Sequence, residues 1–550
     1  MKVLHLPGRL ALLWSGCLLV VLVGAARGAR GAEMVWHPEV GLVELGAAPA
    51  RTPEAFYAHA LGLMVRGDYR AADELLLRGL EQFPASPLTA KMQFRRAECA
   101  FKLGREKEAF ELCSRLLSAA PATMPGAAPA ASTIRKLRYE SAISLARRSA
   151  DAGVALLRHI AEEGNADPYA AAALVEAGTI EMRHCRYGEA LGLLDAGRKR
   201  QPEDKLAAEA TLAMALCHVR LAREQGKTES LNIAAAELQD LLAWGGEPDL
   251  LERARNYQWA VQNALAAGDG KVREVFYAVT WYLDGDYGRA QAICRKASRR
   301  LPKGTAAEVA LFYSARSLEA MGRLVAAYEA FEGLLAAYPA TPYFRAVLEA
   351  EWRIAERLRE AGDRNVLDVL TAIVAHEPRS QRAADATMMR GDWHFDRGDY
   401  LAAGEAYRAI LEEYGRSPHV PVARFRCGAA LYHLAARRDQ PGEILEEAAA
   451  HLSAYLAEYP HGKFVPEAQR LLAATRNRQA EEFWQIAAFY GRRAEPAARA
   501  FYLRLIAGAY ADTEWGGRAQ AALAAIGASS VPAGRDSADP SVSREVPNVP

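Results

Sequence analysis

Cysteine and histidine are the residue types best able to hold a metal or run redox chemistry, and here neither stands at a working spacing. The seven cysteines are Cys17, Cys99, Cys113, Cys185, Cys217, Cys294 and Cys427. The six that follow Cys17 are scattered, with no CxxC pair and no histidine at ligand distance, so neither a zinc site nor a thioredoxin-type motif is present. Cys99 and Cys113 fall on the two helices of one expected hairpin, where an oxidising compartment would permit a disulfide; the plainer reading is small core thiols. Among the 12 histidines, His394 and His433 each stand alone on an expected helix, a surface or core placement rather than a metal site. The carboxylate pairs Glu446-Glu447 and Glu481-Glu482 read as solvated helix faces. Gly268-Asp269-Gly270-Lys271 lacks both the first glycine and the Ser/Thr of a phosphate-binding loop, and no GxSxG, HExxH, EF-hand or dinucleotide fingerprint occurs. No catalytic residue, cofactor or metal ligand is therefore assigned.

The elements that would carry a binding site follow from an internal repeat: Gly, any residue, aromatic, two residues, Ala, then Pro twelve residues on. Gly67, Tyr69, Ala72 and Pro84 form the first copy, and Gly104, Ala109 and Pro121 the second. Tyr187, Ala190 and Pro202 repeat it, as do Gly285, Tyr287, Ala290 and Pro302, and Gly322, Ala327 and Pro339. Gly398, Tyr400 and Ala403 give a further copy with Gly415 in place of the proline, and an intervening unit ends at Pro378. The glycine ends a first helix and takes the turn, the alanine lets two helices approach closely, and the proline closes the second helix. Apolar residues between turns keep helical spacing, as in Leu75, Leu76, Leu80 and Phe83, or Phe331, Leu334, Leu335 and Tyr338. No alternating strand pattern competes.

This pattern resembles the tetratricopeptide repeat (TPR), a helix-turn-helix unit, and implies an all-α, TPR-like α-solenoid of about ten to twelve helical hairpins. Each hairpin buries its apolar stripe only against its neighbours, so an extended, curved molecule with its function on the surface is expected. In this register the first helices line a concave face that offers Tyr57, Met64, Tyr282, Arg316, Glu319, Met388, Asp392 and Phe395 to a protein or peptide.

Composition agrees with a large globular chain. Across 550 residues 51% are hydrophobic and 25% charged, and 68 Lys plus Arg against 67 Asp plus Glu leave a formal charge of +1. Nothing in that balance attracts nucleic acid or anionic lipid. At the amino terminus Lys2 and Arg9 precede the apolar run Leu10 to Val23, with Gly24, Ala25 and Ala26 after it, and residues 1–32 read as an export signal. An uncleaved anchor is the rival, yet the run falls short of the roughly 20 residues that span a bilayer comfortably. A lipid on Cys17, from Ser15-Gly16-Cys17, is the third reading; Trp14 and the apolar residues after Cys17 oppose it. Export places the chain in the periplasm or on the periplasmic face of the outer membrane.

Residues 33–121 hold two repeats. The Ala/Pro-rich stretch 122–132 reads as a linker dividing the array, residues 133–347 as further repeats, and residues 528–550 as a disordered tail. Between Gly226 and Pro248 the second helix is expected to be lengthened or displaced. In residues 348–527 the order of repeats, the FY-x-x-R segment and the Tyr-x-Asp-Thr turn are similar to the BamD family, TPR lipoproteins of the bacterial outer-membrane assembly machine. Ala487, Phe489, Tyr490, Arg493, Arg504, Tyr510, Asp512 and Thr513 carry that likeness, with packing and turn roles equally open to them. Pro496 departs from the pattern and is expected to alter the turn before Ala497, and about 300 residues of extra repeats precede the region. The resemblance implies a non-catalytic envelope scaffold whose partners include β-barrel assembly components, with membrane association through partners or an uncleaved anchor. A cell-wall or division-linked adaptor is the alternative, and an enzyme with dispersed residues on a helical frame the remote one.

Overall fold

Each copy of the sequence repeat folds as two antiparallel helices joined by one kind of turn. A residue with positive φ follows the first helix, at Gly67, Gly104, Gly285, Gly322, Gly362 and Gly398, and also at Cys185 (61°) and Ala494 (55°). Its N–H bonds to the carbonyl three residues back and the next N–H to the carbonyl five back, as in Gly67 to Met64 (3.0 Å) and Asp68 to Leu63 (3.0 Å). This pair of hydrogen bonds satisfies two of the orphan carbonyls of the first helix. In the Gly-Asp-Tyr copies the aspartate then caps the second helix, Asp68 accepting from Ala71 N–H (3.2 Å) and Asp286 from Arg289 N–H (3.0 Å).

A computed structural model describes residues 26–27, 33–45, 51–119, 129–163, 167–201, 205–437 and 442–529. The export segment lies outside them except for Ala26 and Arg27, and most of the linker and tail lie outside as well. The chain divides into two compact units, residues 1–293 and 294–550.

The first unit opens on a small antiparallel sheet, β1 (Ala26–Arg27), β2 (Glu33–His37) and β3 (Gly41–Leu45), in the order β1-β2-β3. The repeat pattern gave no sign of it, because five-residue strands are too short to show a period. Gly41 turns the hairpin at φ +78°, and Val43 is buried. Helical hairpins follow: α1 (Pro53–Val65) with α2 (Tyr69–Gln82), α3 (Thr89–Lys102) with α4 (Glu106–Ser118), α5 (Ala131–Arg148) with α6 (Ala150–Glu162), and α7 (Ala170–Arg183) with α8 (Tyr187–Arg200). Then come α9 (Lys205–Gln225), α10 (Ser230–Trp244), α11 (Pro248–Ala266) and α12 (Gly270–Leu283), and α13 (Tyr287–Arg300) crosses the division between the units.

The second unit continues with α14 (Thr305–Ala320) and α15 (Leu324–Ala337), α16 (Phe344–Glu360) and α17 (Val366–His376), α18 (Gln381–Asp396) and α19 (Tyr400–Glu413), and α20 (Val420–Ala435) and α21 (Gly442–Glu458). It ends on α22 (Val465–Arg492), α23 (Pro496–Ala509) and α24 (Glu514–Ser529). The all-α expectation holds for the repeats, and the amino-terminal sheet is the exception.

The alanines of the repeat do what their size allows. Ala72, Ala109, Ala190, Ala290, Ala327 and Ala403 are all 0% exposed, near the start of the second helix of their pair. The hairpin of α5 and α6 lacks the repeat marks for a visible reason. Its turn is the single residue Ser149, and a Cβ on Gly153 would stand 2.3 Å from Ala146, so a close glycine contact replaces the left-handed turn.

Three features depart from the expected organisation. Ala131 and Ser132 are already helical, and Ile134 and Leu137 of α5 join Leu112, Cys113 and Leu116 of α4 in one core, so the Ala/Pro-rich stretch does not divide the array. The expected boundary at residues 347–348 falls inside α16. Between Gly226 and Pro248 the second helix, α10, is ordinary; the added length is in the 21-residue first helix α9 and in the additional helix α11. All six described cysteines are free, so Cys99 and Cys113 form no disulfide. Both are buried core thiols whose pKa burial pushes up to about 12, which leaves them unreactive near neutrality.

Candidate protein-binding face

First helices of successive repeats touch one another, α3 with α5, α5 with α7 and α7 with α9 in the first unit, and α14 with α16 and α20 with α22 in the second. They form the inner layer on which the expected contact residues lie. The structure gives these residues unequal roles.

Met64, Tyr282, Glu319 and Phe395 occupy one position, three residues before the turn glycine, where each carbonyl accepts the glycine N–H. Tyr282 packs on Tyr287 (ring centroids 5.4 Å) and Phe395 edge-on against Tyr400 (5.4 Å) and His433 (5.9 Å). These half-buried side chains clamp the first helix to the second. Tyr57 and Met388 are buried in the core, which corrects the expectation that they face the groove. The Tyr57 hydroxyl donates to Glu39 (2.7 Å), which Arg95 also pairs, so the β2–β3 turn closes over the first repeat. Glu319 is held by Arg353 (2.8 Å) and Arg316 (3.6 Å). Asp392 accepts from the Tyr407 hydroxyl (2.8 Å) and from Arg426.

Charged ties between neighbouring repeats were invisible in the sequence, because their members lie 25 to 64 residues apart. On α5, Arg138 is 1% exposed and grips Glu163 with both terminal nitrogens (2.6 and 2.9 Å) and also Asp167. Asp284 at the end of α12 accepts from Arg220 (2.9 Å), Arg223 (2.7 Å) and the Tyr257 hydroxyl (2.8 Å). Trp281 lies between Arg223 (3.4 Å) and Arg289 (4.6 Å). Burial alone would raise the Asp284 pKa, but the Arg220 hydrogen bond, the charges of Arg220 and Arg223 and the Tyr257 hydrogen bond outweigh it and hold the carboxyl below its ordinary value.

The last repeat combines packed aromatics with exposed ones. Of the residues that carry the BamD likeness, Ala487 is buried, Tyr490 stacks on Tyr502 (5.7 Å, 10°), and Asp512 pairs with Arg476 (2.7 Å). Thr513 donates to the Tyr510 carbonyl (2.7 Å), and Arg476 stands over the Tyr510 ring (5.4 Å). Those are packing and turn roles. Pro496 sits in the first turn of α23 after Ala494, whose φ of 55° makes the usual turn, so the proline leaves it unaltered. In contrast Phe489 (43% exposed), Phe501 (61%) and Ile486 (37%) are presented outward on α22 and α23, with Arg492, Arg493 and Arg504 exposed around them. Arg493 lies 5.4 Å from the Phe489 ring. Aromatic side chains and arginine are enriched at protein–protein interfaces.

Two further polar places stand out among the described residues. A depression of about 470 Å3 between α6 and α8 has its charges already engaged, Arg158 with Glu189 (3.3 Å) and Arg200 with the Ala161 carbonyl (2.8 Å). The other joins Glu332 of α15, Glu351 of α16 and His376 at the end of α17, whose ligating atoms lie within 4.8 Å of one another. Glu332 and Glu351 push the His376 pKa up to about 10, and burial pushes that of Glu351 up to about 7. No sequence signal singled these three out, since they come from three helices and His376 lies 44 residues from Glu332.

Paired helices joined by this turn, stacked first helix on first helix, define a TPR α-solenoid. Residues 57–123 and 309–341 match family models described as tetratricopeptide repeat, and residues 356–528 match one described as outer membrane lipoprotein. The chain is similar to a tetratricopeptide repeat protein of Parabacteroides merdae (15% identity, 55% of this chain and 99% of that one, TM-score 0.27). It is also similar to the Cut9–Hcn1 hetero-tetramer of the APC/C (12%, 83% and 93%, TM-score 0.21) and to the C-terminal part of a TPR protein from Cytophaga hutchinsonii (15%, 60% and 98%, TM-score 0.19). No curated protein matches it. Among the described residues, no helix is long and apolar enough to cross a membrane.

Proposed function

We propose that this chain is a non-catalytic, exported TPR scaffold of the bacterial cell envelope, whose carboxy-terminal region docks a partner in outer-membrane protein assembly. The observation that carries the reading is the match of residues 356–528 to the outer membrane lipoprotein family, within which α22 and α23 present Phe489, Phe501 and Ile486 beside Arg492 and Arg493. Such a face suits a partner segment that is apolar at its centre and acidic at its edge. The half-buried Met64, Tyr282, Arg316 and Phe395 extend the binding surface along the earlier repeats.

The test compares the full chain with a variant carrying Phe489→Ala, Phe501→Ala, Arg492→Glu and Arg493→Glu, by crosslinking in membranes of the native host and co-purification. These side chains are exposed, so the fold tolerates their loss. Recovery of a β-barrel assembly component is expected from the full chain and at least about tenfold less from the variant, the effect of losing one or two hot-spot residues. Equal recovery of the same partners from both, with no assembly component among them, refutes the assembly role and leaves a generic scaffold.

A further inference from the structure

The carboxylate of Glu351 is the most anomalous polar group in the second unit. Its side chain is 0% exposed, and both of its oxygens are buried without a hydrogen-bond partner. A carboxylate sealed from water with neither oxygen bonded costs several kcal/mol unless something of opposite charge is brought to it. It does not point into bare apolar packing. One oxygen faces His376 Nε2 at 3.7 Å, that nitrogen lies 2.7 Å from Glu332 Oε1, and the ligating atoms of all three residues lie within 4.8 Å of one another. Phe344 stands edge-on to the imidazole (6.2 Å, 83°) and limits its rotation.

We propose that Glu332, Glu351 and His376 form a binding site for a divalent first-row transition cation, which ties α15, α16 and α17 together. The donor set is one imidazole nitrogen and two carboxylates, a combination suited to zinc and its neighbours and poorly suited to magnesium. Two ligands about 2.0–2.1 Å from a tetrahedral ion stand roughly 3.3 Å apart. The separations of 2.7 and 3.7 Å bracket that value, so rotamer adjustments of the two glutamates and the histidine suffice. Access is one-sided. Glu332 is 35% exposed and His376 19%, which leaves an outward position for a water ligand, while Glu351 closes the inner side. The three residues come from the two hairpins on either side of the turn at residues 338–343, so the ion cross-links neighbouring repeats at an interface that apolar packing and the Arg353–Glu319 pair also hold.

The test uses the full chain, stripped with a chelator and then given Zn2+, Co2+ or Mg2+ alone. Zn2+ is expected to raise the melting temperature by at least about 2 °C at saturation, and Co2+ to give visible d–d absorption with an equivalence point at one ion per chain, whereas Mg2+ does neither. Glu351→Gln and His376→Ala are each expected to weaken Co2+ binding at least tenfold and to abolish the Zn2+ shift. Glu351→Gln also separates this site from a merely structural carboxylate: without metal it melts at the same temperature as the natural chain or higher, because a neutral amide replaces a buried charge, yet it no longer responds to Zn2+. No Zn2+ shift and no Co2+ band in the natural chain would mean that the cluster holds only a proton. Cation binding that survives both substitutions would place the ion elsewhere. Either result overturns the proposal.

Discussion

Asp284→Ala lowers the stability of the region around α9, α11 and α12 by about 3–5 kcal/mol, the cost of breaking a buried pair from one side. The carboxylate is 10% exposed and receives two guanidinium groups and one phenol, and the Arg223 side chain is 2% exposed. Removing it leaves Arg223 with Glu224 (3.1 Å), the Thr280 hydroxyl (3.1 Å) and the Trp281 face, which offset only a part of the loss. Because each repeat contacts only its neighbours, the damage is local, and hydrogen exchange of α9, α11 and α12 should speed up while α1 to α4 keep their protection. Converting Asp284, Arg220 and Arg223 together to Leu, Met and Met should recover most of the loss, since the desolvation penalty goes with the charges. A cost below about 1 kcal/mol for Asp284→Ala would show that water reaches the cluster. The folded-state pKa of Asp284 is depressed, so its contribution is present above the ordinary aspartate pKa and is lost as pH falls through the folded value.

Arg138→Ala is the second large effect, again about 3–5 kcal/mol, and it carries a pH signature. Arg138 is among the largest fully buried side chains, and its removal leaves Asp167, 1% exposed, without its main partner. It also releases Glu163, whose carboxyl the Arg138 hydrogen bond holds below its usual range. A depressed carboxyl stabilises the fold above its unfolded pKa and loses that contribution as pH falls through its folded pKa. The gap between the natural chain and the variant should therefore be widest near neutrality and should narrow below about pH 4.5. Urea unfolding followed at pH 7 and pH 4 measures both gaps. A difference that stays constant with pH would assign the loss to packing against Phe110, 5.8 Å away, rather than to charge.

Read residue by residue, the repeat was legible wherever one amino acid type has a single physical use. Among the described residues glycine at positive φ marked six of the eight turns of the repeated kind, and the repeat alanines marked positions of 0% exposure. Cys185 and Ala494 adopt the same turn without glycine, because the two hydrogen bonds and the packing on either side supply the cost of a left-handed residue, roughly 1 kcal/mol. The expected contact residues were less legible. Helical spacing places Tyr57, Met388 and Phe395 on the first helix, but period alone does not say whether a neighbour covers them; the β2–β3 turn covers Tyr57, and the core takes Met388. The exposed Phe489 and Phe501 look, by residue type, like every buried aromatic in the chain. Only the absence of a neighbouring helix over them among the described residues sets them apart.

By itself, then, the sequence determined the repeat unit, the turn that closes it and the small buried residues near the start of the second helix, because these depend on backbone conformation and side-chain volume within about 38 residues. The tertiary structure alone decided which arginine meets which carboxylate, where the amino-terminal hairpin lands, that α11 enters the stack, and that Glu332, Glu351 and His376 converge. Those contacts join residues far apart in the chain, and a pairing between helices is set by the rotation of each helix about its axis, which neither composition nor period records.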